Sequence, residues 1–223
     1  MRALIHLVAR HRAEDDFDAA LRAEVERMRR AASVSIQAVN GMIRVEEDIF
    51  GPCTPYRGTI EIAAGEADRA EICALASGMA NRFGDRIHAD LSTALLGVDK
   101  IFIEPERTPV RYQYLMRRNA EFSHSSYLER YEKIHSQFGL KTPGIRGYVQ
   151  LHLDLEAGKA LAADAGVGVW EVDSVSELYL ESVETFLAAL GSLENDGGAR
   201  EDEEIFVDKA RSYDFASHVE WND

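Results

Sequence analysis

Apolar and polar residues alternate along this chain with two different periods, and the periods switch in a regular order. "ALIHLVAR" at 3–10 alternates as a half-buried strand does, which predicts a strand at about 2–9. The period then lengthens. Phe17, Leu21, Val25 and Met28 share one helical face and predict a helix at about 14–31. Strands are predicted near 34–40 and 58–63, a helix at about 66–82 and a strand near 98–104. The order then starts again. A strand at 110–117 leads to a helix at about 124–138, with Ser123 placed to cap its first turn. Strands near 145–154 and 166–173 come next, then a helix at about 175–190 carrying Leu178, Val183, Phe186, Leu187 and Leu190. A last strand is expected near 204–210, with "YDFASHVEW" as a tail or strand extension.

Short matches support the repetition. "ALIHLVAR" at 3–10 pairs with "VRYQYLMR" at 110–117, and "SIQAV" at 35–39 with "YVQLH" at 148–152. "TIEI" at 59–62 pairs with "VWEV" at 169–172, and "IFIEPER" at 101–107 with "IFVDKAR" at 205–211. All four pairs keep one order. The expected fold is α+β: two tandem ferredoxin-like βαββαβ units, residues 1–106 and 107–223, joined through "ERTPV" at 106–110. Each antiparallel sheet would have one bare face, and pressing those faces together gives a pseudo-dimeric α+β barrel. Three segments break the symmetry: 41–58, 83–97 with an expected extra helix, and the Gly-rich acidic 191–202.

Charge narrows the partners. Thirty-nine acids against 25 bases give −14, the wrong sign for nucleic acid or an anionic membrane surface. No apolar run approaches the roughly 20 residues that span a bilayer. Cys53 and Cys73 have no metal or redox spacing and suit a reducing cytoplasm. The expected partner is a small molecule. The expected assembly is a monomer with pseudo-two-fold symmetry, or a homodimer.

The second half resembles the EthD domain family. The resemblance rests on "FSHSSYLERYEKIHSQFGLKTPGIRGYVQ" at 122–150, "GVWEVDSVSEL" at 168–178 and "EEIFVDKARSYDF" at 203–215. Tyr131, His135, Pro143, Gly144, Tyr148, Glu171, Asp173, Ser174, Phe206, Val207 and Asp208 fall at the family's places. The first half keeps only the outline. The resemblance implies a dimeric α+β barrel and chemistry on small, aromatic or polyketide-like molecules. Dehydration, decarboxylation, isomerisation and cyclisation all fit. A ligand-binding accessory protein and an oxygen-dependent or haem protein are the alternatives.

Candidate chemistry centres on His135. Tyr127, Tyr131, Ile134 and Phe138 form a predicted buried stripe with His135 on its flank, where the other repeat places Val25. Imidazole exchanges protons near neutral pH, so His135 is the candidate acid–base group and Tyr148 the candidate hydroxyl beside it. On the first strands, Leu4, His6 and Val8 with Arg111, Gln113 and Leu115 are expected to face the barrel interior. His6, Arg111 and Gln113 are candidate ligand contacts there, with Tyr114 and Trp170 as candidate aromatic wall. Glu171 and Glu61 occupy matched places, which favours a structural pairing with an Arg across the barrel. No phosphate loop, dinucleotide fingerprint or nucleophile elbow is present, and the His spacings are not those of zinc sites. No metal and no cofactor are expected, with haem held open only because a buried His can ligate it.

Overall fold

In the computed structural model, residues 1–10, 14–45, 54–65, 68–191 and 198–220 are described. The first half runs β1 (Arg2–Leu7), α1 (Glu14–Ala31), β2 (Ile36–Arg44), β3 (Gly58–Ala64), α2 (Arg69–Ala76), α3 (Met79–Phe83) and β4 (Thr93–Ile103). The second runs β5 (Val110–Met116), α4 (His124–Arg130), a π segment (Tyr131–His135), α5 (Ser136–Gly139), β6 (Ile145–Leu153), α6 (Leu155–Ala165), β7 (Ser174–Leu180), α7 (Val183–Gly191), α8 (Ala199–Phe206) and β8 (Tyr213–Glu220). The strands close into one barrel in the order β1-β3-β2-β8-β5-β7-β6-β4. Every adjacent pair is antiparallel. The order is β4-β1-β3-β2 in one half and β8-β5-β7-β6 in the other, and the β2–β8 and β4–β6 pairs join them.

Four expectations need correction, all but one in the second half. Residues 155–165 form a helix that the hydrophobic periodicity does not reveal. Asp154 caps it, accepting from the Ala157 amide at 2.9 Å, and Gly166 ends it in the left-handed region. Residues 166–173 are therefore a connection, not a strand. Residues 174–180 are a strand, not the start of a helix, because polar Ser176 and Glu177 fall on opposite faces and hide its period of two. Residues 199–206 are helical, with Asp202 and Phe206 buried one turn apart, and the last strand begins at Tyr213. In the first half, 83–97 holds only a short 3₁₀ turn before β4, so no extra helix forms there. Cys53 and parts of the 41–58 and 191–202 segments lie outside the described residues. No helix among the described residues is long and apolar enough to cross a membrane.

The barrel interior has two unlike ends. Leu4, Val8, Met42, Leu95, Leu115, Leu151, Val175 and Phe215 pack an apolar end. The other end holds ions. Arg2 Nη1 donates to Glu61 at 2.8 Å and its Nη2 to Asp99 at 2.7 Å, and Arg2 also pairs with Glu177. Arg111, from the other half, pairs with Glu61 and lies 3.6 Å from Glu177. Asn40 donates to Glu61 at 2.8 Å and Gln113 to Glu177 at 2.7 Å. Register makes the two halves correspond. Leu4 is opposite Glu61 and Gln113 opposite Glu177, so Arg2 and Arg111 each stand two residues before that partner. The counterpart of Glu61 is thus Glu177. Glu171 instead sits exposed at the rim, paired with Arg117.

Burial alone would raise the Glu61 carboxyl, but the guanidiniums of Arg111 and Arg2 override it and hold it well below the usual carboxylate range. A carboxylate held low stabilises the fold above its usual value near 4.5, and that contribution is lost as pH falls through and below it. Glu61→Ala leaves two buried cations short of a partner and should cost about 3–5 kcal/mol in urea unfolding at pH 7. The gap between variant and wild type should shrink as pH falls below about 4.5. An equal gap at pH 7 and pH 3 would refute this role for the ion network.

Candidate functional site

The outward faces of the two half-sheets carry different chemistry. In the first half, Ile5 on β1 is opposite Ile60 on β3, which is opposite Gly41 on β2. The next row is Ala3, Ile62 and Val39. These residues pack under α1 and α2 in an apolar core. The rows at the same register in the second half are Tyr114, Ser176 and Gln150, then Tyr112, Leu178 and Tyr148. A third row adds Met116, Ser174 and His152. Tyr114 and Ser176 lie on the two central strands of that half-sheet, yet both keep partial solvent access. The helices leave this face incompletely covered.

The covering helix brings further polar groups. Ser123 caps it as expected, accepting from the Ser126 amide at 3.1 Å. The helix then makes a π turn over Tyr131–His135. A π turn carries one extra residue and rotates the helical faces beyond it. Ile134, which a 3.6-residue period places in the buried stripe, is 46% exposed, and His135 is 9% exposed in its stead. Tyr127 Oη bonds Ser174 Oγ at 2.7 Å, and Tyr131 lies between His135 and His152 with both ring centroids 5.8 Å away. Val25 of the first half packs on Gly41, whose register counterpart Gln150 bonds the Tyr131 carbonyl. Val25 therefore matches Tyr131, one turn before His135.

His135 Nδ1 is 3.0 Å from Asp202 Oδ2 on α8, and Asp202 also pairs with Arg130. Burial lowers His135 below its ordinary value despite Asp202, which keeps the ring neutral near pH 7. Nδ1 then carries the proton donated to Asp202, and Nε2 carries the lone pair, 3.8 Å from Glu203 Oε1. The Glu203 charge is among the causes that hold Tyr112, Tyr114, Tyr127 and Tyr148 as neutral phenols, after burial itself. Tyr148 is pushed up to about 12. Its Oη accepts from Gln150 Nε2 at 2.6 Å, and its ring stacks on Phe102. Gly139 has to be glycine for this fit, since a Cβ there would lie 2.3 Å from the Tyr148 ring.

The remaining candidates fall elsewhere. Arg111 and Gln113 face the barrel interior as expected, but their side chains are committed to the ion network on the opposite face of β5 from His135. His6 is fully buried there, bonded through Nδ1 to Thr59 Oγ1 at 2.9 Å and caged by Tyr56 and Phe215, with Nε2 unpartnered. Trp170 lines a separate cavity at the barrel rim. Asp202, Glu203, Gln150, His152 and Ser176 surround the candidate site and are not singled out by the sequence pattern. Gln150 and His152 succeed Tyr148 at period two, which is the signal for that face. His124 has both ring nitrogens against acceptors, Asp173 Oδ1 at 2.8 Å and the Leu153 carbonyl at 2.9 Å, so both must donate and the ring is an imidazolium.

The eight-stranded antiparallel barrel with helices outside it has the dimeric α+β barrel fold. More particularly, residues 119–210, in the second half of the chain, match the EthD domain model. No curated protein matches the sequence. The fold is similar to an anthrone oxidase-like protein: 12% identity, 99% of this chain and 90% of that one, TM-score 0.61. It is also similar to a protein from Fusobacterium nucleatum provisionally described as a monooxygenase, at 8% identity, 98% and 91% coverage and TM-score 0.57. A haem-binding protein from Thermus thermophilus matches at 13% identity, 98% and 90% coverage and TM-score 0.50. Three candidate positions do not fit haem. The rim cavity offers no axial ligand, His6 Nε2 is caged, and His135 Nε2 faces a carboxylate. Among the described residues, no group of three His, Cys, Asp or Glu side chains is placed to hold a metal ion.

The histidines should separate in an NMR titration. His124, held by Asp173, should titrate above its usual 6.5, whereas His135 should titrate below it. Burial should take His152 to about 4 and His6 to about 3. A His135 that titrates above His124 would overturn the neutral assignment.

Proposed function

We propose that the second half is a cofactor-independent acid–base catalyst acting on a small aromatic or polyketide-like molecule. The observation that carries this reading is the contrast at equal register: Ile5, Ile60 and Gly41 in one half, Tyr114, Ser176 and Gln150 in the other. Burying hydroxyls, amides and imidazoles costs stability that the first half shows an apolar face avoids, so their retention favours a ligand role. His135, oriented by Asp202, takes a proton at Nε2 and returns it. Neutral phenols, Tyr148 among them, donate to the oxygen on which negative charge develops. The aromatic rings and partly open Ser176 suit a flat, oxygen-bearing substrate. Proton removal of this kind serves dehydration, decarboxylation, isomerisation or cyclisation.

The same reading treats the chain as two ferredoxin-like units, 1–106 and 107–223, of which the first acts as scaffold. The equal strand order and the matched Arg2/Arg111 and Glu61/Glu177 places support that division. A second reading, oxygen-dependent oxidation of an electron-rich aromatic, draws on the anthrone oxidase-like and monooxygenase-like folds. It would use the same proton removal first.

Phenols, naphthols and anthrones should be screened by thermal shift, since a ligand that binds only the folded state raises Tm. Hits are then assayed for mass change with and without oxygen. His135→Gln should cut turnover by about 10²–10⁴-fold while the fold is retained. Tyr148→Phe should cost less. Turnover that survives His135→Gln would exclude His135 as the proton carrier, and binding without any mass change would make the protein a carrier.

A further inference from the structure

We infer that the cavity at the barrel rim is a second ligand site, one that takes a small aromatic carboxylate. It has a volume of about 250 Å³ and lies between α6, the end of β4 and the 166–173 connection. It shares no lining residue with the phenol-rich face around His135. Its floor is apolar. Leu95, Leu153 and Val172 belong to the barrel's apolar interior and are joined at the rim by Leu155.

The wall is held in place. Gly166 leaves α6 in the left-handed region, and Gly168 lies so close to the Asp90 carbonyl that a Cβ would sit 2.3 Å from it. The Trp170 amide donates to Thr93 Oγ1 at 3.0 Å, and its ring packs edge-on against Tyr213 at 5.5 Å. The indole is thus a preformed, partly exposed platform for a second ring.

Charge at the mouth selects the other end of the ligand. Two carboxylates of the lining are engaged within the protein: Asp154 caps α6, and Asp173 binds Arg118 and His124. Two cations hold exposed acids instead. Arg117 pairs with Glu171, whose side chain is 70% exposed, and Lys159 with Glu156, whose side chain is 83% exposed. The Lys159–Glu156 pair is exposed on both sides, whereas the Arg117 side chain is only 25% exposed. Exposed pairs contribute about 0–1 kcal/mol, and Glu171 and Glu156 are the exposed members of theirs, so a ligand carboxylate seated over the apolar floor can take the place of either acid. The volume lies just below the roughly 300–1,000 Å³ of sites for drug-sized molecules, which limits the occupant to one or two fused rings.

Isothermal titration of the full chain with 1-naphthoate, and separately with 1-naphthamide, tests this. Naphthoate should bind at least tenfold more tightly than the amide, and its affinity should fall with added salt. Arg117→Ala should weaken naphthoate at least tenfold and Lys159→Ala should weaken it too. His135→Gln, on the other face, should leave it unchanged. Circular dichroism confirms that each variant is folded. Absence of naphthoate binding, equal affinity for the amide, or a loss caused by His135→Gln and not by Arg117→Ala would overturn the site. The first two of those results leave turnover at His135 untouched and the third would place the aromatic ligand at the His135 face, so failure of the rim site is distinguishable from failure of the His135 reading.

Discussion

The ions inside the barrel set where everything else can be. Arg2 and Glu61 come from one half, Arg111 and Glu177 from the other, and the pairs cross between halves as well as within them. Each charge was taken out of water at a cost that only mutual pairing offsets. The observed register matches these charges across the halves, and a slip would leave a buried charge unmatched. The same plug fills one end of the interior, and Leu4, Met42, Leu95 and Phe215 fill much of the other. A ligand has little space at the centre. The open cavity lies at the rim instead, and the partly open polar groups lie on the sheet–helix face of the second half.

The two halves then differ in what they bury beneath their helices. Ala3, Ile5, Leu7, Ile60 and Ile62 bury an unbroken apolar face beneath the helices. Their counterparts place phenols, a serine, an amide and a histidine in the same geometry. Such groups need partners when buried. Many are found within the site: Tyr127 with Ser174, Tyr112 with Asp214, Tyr148 and His152 with Gln150. A barrel closed by ion pairs and braced by one apolar half can accommodate a costly second half.

Legibility in the sequence obeys the same division. The first half reads well because apolar residues there keep clean periods, and α1 matches its predicted span of 14–31. In the second half polar residues occupy buried positions on both faces of β7, so a strand with Ser176 and Glu177 reads as a helix. Ala-rich α6 hides because small residues make a faint stripe, although Asp154 and Gly166 mark both ends. Repeats matched by letters place Glu171 beside Glu61, whereas strand register places Glu177 there. His135 and Tyr148 are legible by type and spacing. Asp202 and Glu203 are not, since 191–202 reads as an acidic loop and 204–210 as a strand, and only tertiary packing brings α8 over the π segment.

That π segment is where the sequence and the chemistry meet. A regular helix would point Ile134 inward and leave His135 at the edge, a sound choice for packing alone. The extra residue reverses it, exposing an isoleucine and burying an imidazole, a trade that loses apolar burial and adds desolvation. Something has to offset it. Asp202 takes the Nδ1 proton, Phe206 and Tyr131 pack the ring, and the Tyr131 carbonyl accepts from both Ser136 and Gln150. Gln150 in turn holds Tyr148 and His152. One irregular turn thus fixes the imidazole, the phenol and the sheet against one another, which a straight helix with the same residues would leave apart.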